Sequence, residues 1–471
     1  MKNTVLIIFS LLLLTACGTY SRYSRPEVLT EGLYRKLPAA NDTSTIASLP
    51  WREMFADTCL QSLIEKGLSA NTDLNIARLR VEAAEASLSA AKLAYLPSLG
   101  LTAEGGVSRS DGSTAKTYNI RTGANWELDI FGKLTSAKRG AIAALEGSRD
   151  YRQAVQTRLI ATIADSYYTL TMLDVQLEIN GRTLENWSNT VKTIQALKRV
   201  GKSNEAGVLQ AKSSVMELEA SRLAILKSIS ETENALSSIL AMPSQTIRRG
   251  NLSDASFPDT ISIGVPLQLL SNRPDVRNAE MNLAQAFYAT NIARAAFYPS
   301  ITLSGILGWT NNGGGIVTNP GQWLLNAIGS LTQPLFNRGT NIVNLKIAKT
   351  QQEEARLLFQ QSLLDAGKEV NDALTAWQTA KSQIDIVERQ VQTLNEAVRN
   401  TQLLMRHSDT TYLEVLTAQQ TLLNAEMALA QRRFDCIQAL INLYQALGGS
   451  DEREARVESA KILSSILKKN I

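Results

Sequence analysis

The sequence predicts a mixed α and β membrane protein. Each chain lends four strands to a shared β-barrel in a membrane, and long helices stand in water as its continuation. Three observations predict this. The chain carries an internal two-fold repeat. Proline is absent between Pro97 and Pro243 and again after Pro334, which leaves room for very long helices because proline breaks helix interiors. Four segments alternate apolar with polar residues at a period of two, as a barrel wall between lipid and a wet lumen does.

At the N-terminus, Lys2 precedes an apolar run from Val5 to Leu14, too short for the roughly 20 residues of a spanning helix. Residues 1–16 therefore read as a secretory signal. Leu14-Thr15-Ala16-Cys17 resembles the bacterial lipobox, with Gly18 and no Asp behind it. The mature chain is expected to begin at Cys17, carrying a covalent lipid, with residues 17–57 as its lipidated N-terminal segment. A chance cysteine behind an ordinary signal is the alternative. Cys59 and Cys436 either pair or stay buried and reduced.

The remaining chemistry excludes more than it suggests. The single histidine, His407, and the lack of CxxC or HExxH give zinc or haem no ligands. No carboxylate joins a His or Cys in a recognisable constellation, and Gly313 to Gly315 read as a surface loop, so neither an enzyme nor a cofactor is expected. The net charge of +4, with bases and acids interleaved, argues against nucleic acid.

The first repeat spans residues 58–242: a helix, strands at about 98–110 and 117–130, and a long helical hairpin. Leu99, Leu101, Ala103 and Val107 alternate with Ser98, Thr102, Glu104 and Ser108. Tyr118, Ile120, Ala124, Trp126, Leu128 and Ile130 face away from Asn119, Arg121, Asn125, Glu127 and Asp129. From Lys133 to Val200 nearly every residue favours helix, and 68 residues would reach roughly 100 Å. Its apolar residues form seams, such as Leu170, Leu173 and Leu177, among polar ones. Residues 243–266, with three prolines, link the halves.

The second repeat, 267–448, has strands at about 300–311 and 322–335, and a tail follows at 449–471. "LSANTD" (68–73) aligns with "LSNRPD" (270–275), Phe131-Gly132 with Phe336-Asn337, and "EAGVLQA" (205–211) with "YLEVLTA" (412–418). Each strand is long enough to cross a bilayer obliquely; two half-buried hairpins on a water-soluble core are the alternative. Four strands cannot close a barrel, since the smallest need about eight. Several chains must then share one, and three would supply twelve strands.

Taken in order, the lipobox, Tyr23-Ser24-Arg25-Pro26, "WELDIFGK" (126–133), "LLSNRPDV" (269–276), "ARAAFYPSITL" (293–303), "EVNDAL" (369–374) and "LYQALGG" (443–449) resemble TolC-like outer membrane factors. The resemblance is to the lipoprotein branch that works with resistance-nodulation-division (RND) pumps. It implies a homotrimer with a twelve-stranded barrel in the outer membrane of a Gram-negative bacterium, continued by a periplasmic helical tube. It also implies a passive efflux duct that docks on a periplasmic adaptor and an inner-membrane RND pump. The outlet of a type I protein secretion system is the alternative, and a lipid-anchored scaffold without a channel is a third reading.

In the family the hairpin turns form the periplasmic aperture and the adaptor contact. Here they are Gly201, Lys202, Ser203 and Asn204 in the first half, and Ser408, Asp409, Thr410 and Thr411 after His407 in the second. The acidic position of the family's "DVLxA" stretch is Glu414 in the second half and Gly207 in the first. Three copies of Glu414, with Asp409, would make an acidic ring at the aperture; a solvated helix glutamate is the plainer reading. One histidine and eight scattered methionines give metal ions no preference over drugs or detergents as cargo.

Overall fold

The structure is a computed structural model that describes residues 21–27, 50–252, 273–310, 322–407 and 411–449. In chain order the elements are α1 (Trp51–Met54), α2 (Thr58–Ala70), α3 (Thr72–Leu93), β1 (Ser98–Ser110), β2 (Ser113–Leu128), α4 (Lys133–Arg199) and α5 (Glu205–Ile239). They continue as α6 (Pro274–Ala295), β3 (Ser300–Thr310), β4 (Gln322–Thr332), α7 (Thr340–His407) and α8 (Tyr412–Ala446). A helix, two strands, a very long helix and a shorter helix thus occur twice in order. The paired lengths agree: 22 and 22 residues for α3 and α6, 67 and 68 for α4 and α7, 35 and 35 for α5 and α8. The signal peptide, Cys17, most of the linker 243–266, the loop with Gly313 to Gly315, Ser408, Asp409, Thr410 and nearly all of the tail lie outside the described residues.

The chain divides into two compact units. The first comprises residues 1–29, 78–151 and 277–362. It holds one antiparallel sheet in the order β1-β2-β3-β4. The strand bounds differ from the sequence reading for local reasons. β2 starts at Ser113 rather than about 117, because Asp111 (φ 47°) and Gly112 (φ 79°) make a two-residue turn with both residues left-handed, which pairs Ser110 with Ser113. It ends at Leu128, so Ile130 lies beyond it, because the Asp129 carboxylate accepts the Leu134 and Thr135 N–H groups (both 2.8 Å) at the start of α4. β4 ends at Thr332 rather than 335, two residues before Pro334, which has no N–H to give a ladder.

The second unit comprises residues 30–77, 152–276 and 363–471 and contains the main apolar core. Leu170 and Leu173 are buried there with Phe55, Leu60, Ile163, Tyr167, Leu236 and Tyr444, and Leu177 packs against them, so the seam of the long helix is a core stripe. Several polar groups inside it are matched. Asp57 caps α2 by accepting the Cys59 and Leu60 N–H groups (2.7 and 3.4 Å), and it accepts the Tyr167 hydroxyl as well. Burial and that bond push the Tyr167 phenol up. Arg249 forks onto Asp174 (2.5 and 2.9 Å) and reaches Glu233 (2.6 Å), pinning the chain that leaves α5. Cys59 and Cys436 are both free, half-buried thiols.

Two joints in this unit occupy matching positions of the halves. Asn71, at the C-terminal end of α2, donates its amide to the Ile239 carbonyl, the last residue of α5 (2.9 Å). Arg273, one residue before α6, donates to the Ala446 carbonyl, the last residue of α8 (2.9 Å). Arg273 also holds Asp275 (3.0 and 2.5 Å) and Glu369 (2.7 Å). Burial opposes the charges of Arg273 and Asp275, and their pairing outweighs it: the guanidinium is held above its usual pKa and the carboxyl below the usual carboxylate range.

Candidate functional site

Strand register assigns every sheet residue to a face. Residues directly opposite one another share a side, so Leu101 opposite Thr122, Thr122 opposite Leu307 and Leu307 opposite Leu325 carry one face across all four strands. Continued along the strands, that face consists of Leu99, Leu101, Ala103, Val107, Ile120, Ala124, Trp126, Leu128, Ile301, Leu303, Leu307, Trp309, Trp323, Leu325, Ala327 and Leu331, broken only by glycines and a few polar or aromatic residues. It is open in the single chain, with Leu99 and Leu101 each 75% and Leu325 80% exposed. A water-soluble monomer rarely shows so large an apolar patch.

Aromatic residues mark both ends of the face. Trp309 and Trp323 lie with ring centroids 4.3 Å apart at the β3–β4 end of the sheet. At the other end Trp126 donates its indole N–H to the Tyr95 carbonyl (2.8 Å), and Phe131 stacks on Tyr298 (5.0 Å) where strands meet helices. Eight residue steps separate Tyr118 from Trp126 on β2, about 26 Å along the strand. At the 35–45° tilt of barrel strands that length spans roughly 20 Å along the membrane normal, and the junction aromatics beyond Trp126 extend it toward the apolar band of about 25 Å between aromatic girdles in an outer-membrane barrel.

The opposite face is wet in character. It carries Ser98, Thr102, Glu104, Asn119, Arg121, Asn125, Glu127, Thr302, Ser304 and Asn326. Arg121 pairs with Glu104 (2.9 Å) and Ser304 with Asn125 (2.7 Å), so charged and amide groups there satisfy one another across strands. β4 breaks the pattern, since Ile328, like Ile306 of β3, falls on this face. That irregularity is why its sequence alternates least clearly.

In the second unit the described hairpin tips meet. α4 ends where Gly201 takes φ 75°, with its N–H on the Lys198 carbonyl and that of Lys202 on the Leu197 carbonyl (3.0 and 2.9 Å), a stop that needs the left-handed conformation glycine supplies. Asn204 then caps α5 by accepting the Gly207 N–H (2.9 Å), and Lys198 pairs with Glu205 across the turn, holding that carboxyl below its usual range. Gly201, Lys202, Ser203, Asn204 and Thr411, five positions singled out from the sequence, line one hollow of about 430 Å³ with Leu197, Met405 and Tyr412. Glu414 is exposed in the first turn of α8.

Gly207 is a seat for a ring. A Cβ placed on it would lie 2.8 Å from the Tyr412 ring, and below this contact Ile194, Val208, Ala211 and Leu416 form a small core. This explains why the first half carries glycine where the second carries Glu414. The sequence marked the departure but gave no sign of the ring that fills it.

The model of a family described as "Outer membrane efflux protein" matches residues 63–242 and 265–449, well over half of the chain. The chain belongs to this family. As an outer membrane efflux protein it is 29% identical over 451 residues to the "Cation efflux system protein CusC" of Escherichia coli (strain K12), covering 93% of this chain and 97% of that one. It is 28% identical over 463 residues to the "Probable outer membrane lipoprotein SilC" of Salmonella typhimurium, covering 95% and 99%. Its fold matches the open-state MtrE outer membrane channel of Neisseria gonorrhoeae with a TM-score of 0.82 at 27% identity, over 91% and 97% of the two chains. These likenesses put it in the outer membrane and in an efflux channel family, not an enzyme family.

Several of the quoted motifs acquire contacts in this efflux protein. "LLSNRPDV", "EVNDAL" and "LYQALGG" converge on one joint through Arg273, Glu369 and Ala446. "YSRP" docks on α6, where Arg25 forks onto Glu280 (2.8 and 2.5 Å). The residues were visible; their partners, 96 to 255 positions away in sequence, were not. Among the described residues no group of three or more His, Cys, Asp or Glu side chains could hold a metal ion.

Proposed function

We propose that the protein is the outer-membrane duct of a tripartite efflux pump and works as a homotrimer. The observation that carries this reading is the sheet, whose apolar face is largely open and whose β1 and β4 each pair on one side only among the described residues. An open edge in lipid leaves backbone donors and acceptors unpaired. Three sheets joined edge to edge would close a twelve-stranded barrel, apolar face to lipid and the Glu104 and Arg121 face to water. The helices stand in the periplasm, a lipid on Cys17 anchors the chain in the outer membrane, and an inner-membrane RND pump supplies the energy.

At the periplasmic aperture, Glu414 with Asp409 from three copies forms an acidic ring that attracts cations. The tips, with Gly201, Lys202, Ser203, Asn204, Ser408, Thr410 and Thr411, form the adaptor contact. The cargo is drugs or other small toxic compounds, and likeness to a cation efflux protein adds metal ions to the test panel. Retention of dyes, antibiotics and metal ions is measured in a strain lacking the gene, beside its secreted proteins and the conductance of the purified protein in planar bilayers. Retention reversed by the intact gene is the expected result. Normal efflux with a missing secreted polypeptide would assign the duct to protein secretion, and a heat-resistant trimer without conductance would leave only a scaffold. In the same bilayers, Glu414→Gln lowers cation selectivity; unchanged selectivity removes the ring.

A further inference from the structure

Residues 105–118 stand clear of β3. Six residue pairs, from Gly105 opposite Tyr118 to Ser110 opposite Ser113, carry β1 and β2 on past Asn119, the last residue of that ribbon to pair with β3. Six steps make about 20 Å of ribbon, or roughly 15 Å along the membrane normal at the tilt of barrel strands. Here the apolar face changes its content. It goes on as Gly105, Val107, Arg109, Thr114, Lys116 and Tyr118, and the other face of the ribbon has no charged residue. Both cations thus lie on the side that faces lipid, diagonal to one another and about 7–8 Å apart. Arg109, Lys116 and Thr114 are all exposed. Asp111, in the turn, is the one acid of residues 105–118, and residues 311–321 carry no charge.

We propose that Arg109, Thr114 and Lys116 form a phosphate seat for a phosphorylated glycolipid of the outer leaflet. The proposal rests on the reading that the helices stand in the periplasm, which turns this hairpin outward. A lipid-facing Arg or Lys costs most at the bilayer midplane and little near the interface, so the pair has its place at headgroup level. Distance agrees. Tyr118, with Trp309 and Trp323, marks the edge of the hydrocarbon, where aromatic residues gather. Lys116 lies two residues beyond Tyr118, and Thr114, opposite Arg109, lies four beyond it. These are about 7 and 14 Å of strand, and roughly 5 and 10 Å of height at barrel tilt. The headgroup layer adds about 5–8 Å on each side of the hydrocarbon, within reach of both long side chains. A glycerol-linked phosphate lies at the foot of that layer, whereas a phosphate carried on a sugar stands higher, level with Arg109. The guanidinium can fork onto two oxygens of such a phosphate, the Lys116 ammonium adds a point charge, and the Thr114 hydroxyl donates between them.

The test titrates the full-length protein in detergent with lipid A bearing both sugar phosphates, and counts bound lipid by native mass spectrometry. Lipid A stripped of its phosphates and phosphatidylglycerol serve as the comparison lipids. Wild type should bind the phosphorylated glycolipid at least about tenfold more tightly than either, since a hydrogen bond to a charged group is worth that factor. Arg109→Gln with Lys116→Gln should remove the preference. The exchange Arg109→Lys with Lys116→Arg should keep most of it, and Arg121→Gln, on the wet face, should leave it whole. Equal binding of the stripped lipid, equal binding of phosphatidylglycerol, or an undiminished preference in the double Gln variant would each overturn the seat. The membrane reading is tested apart from it. Brominated acyl chains in reconstituted bilayers should quench the emission lost in Trp309→Phe with Trp323→Phe. Quenching without a glycolipid preference would overturn only the seat, and emission untouched by bromine would overturn the placement of the sheet in lipid.

Discussion

The joints at Asn71 and Arg273 solve one problem with different strength. Each ties the chain entering a strand-bearing helix to the last carbonyl of the shorter hairpin helix in its own half. In the first half one neutral amide does this. In the second a buried guanidinium holds the carbonyl and two carboxylates together. A helix C-terminus leaves carbonyls without intrahelical partners, so a donor is needed at both places. What the comparison teaches is that the halves share the need and not the chemistry.

Removing the stronger joint should have the largest effect. Arg273→Ala leaves the Ala446 carbonyl without its guanidinium donor and two carboxylates facing each other. Breaking a buried ion pair costs about 3–5 kcal/mol, and the lower figure applies because Asp275 and Glu369 are half exposed at their side chains, 49% and 52%. Urea unfolding followed by loss of helical signal measures it, and a loss under about 1 kcal/mol would mean that the carboxylates hold apart unaided.

The tips differ in the same manner. At matching positions the first half offers Gly207 as the floor under Tyr412, and the second offers Glu414. Gly207→Ala adds helix propensity but drives a methyl into the ring, and overpacking of this kind costs about 1–3 kcal/mol. In the Tyr412→Ala background the same change should become neutral or stabilising by up to about 1 kcal/mol, since alanine is the better helix former. A double-mutant cycle on thermal unfolding reads the coupling. Equal effects in both backgrounds would show that the ring yields freely and that Gly207 is kept for another reason.

What was legible in the sequence was whatever repeats locally. Alternation in β1 and β2 gives their faces before any register is known, and proline punctuation gives the long helices. β4 alternates least clearly because Ile328 turns toward the wet face, which only pairing to β3 reveals. The early start of β2 is written in Asp111-Gly112, a two-residue hairpin signal. Long-range partners were not legible at all. Nothing near Arg25 names Glu280, and nothing near Gly207 names Tyr412, because such contacts depend on how helices distant in sequence come together.

The weaker joint should give the smaller change. Asn71→Ala removes one neutral bond to a half-buried carbonyl, and about 1 kcal/mol is expected, a third of the Arg273 effect. Acid separates the two joints further. Asp275 has a folded pKa below its unfolded one, so its contribution is complete above the ordinary carboxylate pKa of about 4 and is lost as pH falls below that range through the folded value. Asn71 and the Ile239 carbonyl do not titrate. Between about pH 4 and pH 2, the stability lost by Arg273→Ala relative to wild type should therefore shrink, while that lost by Asn71→Ala should stay constant. A parallel pair of pH profiles would mean that Arg273 acts through the Ala446 carbonyl alone, and the two joints would then differ only in the length of the side chain that spans them.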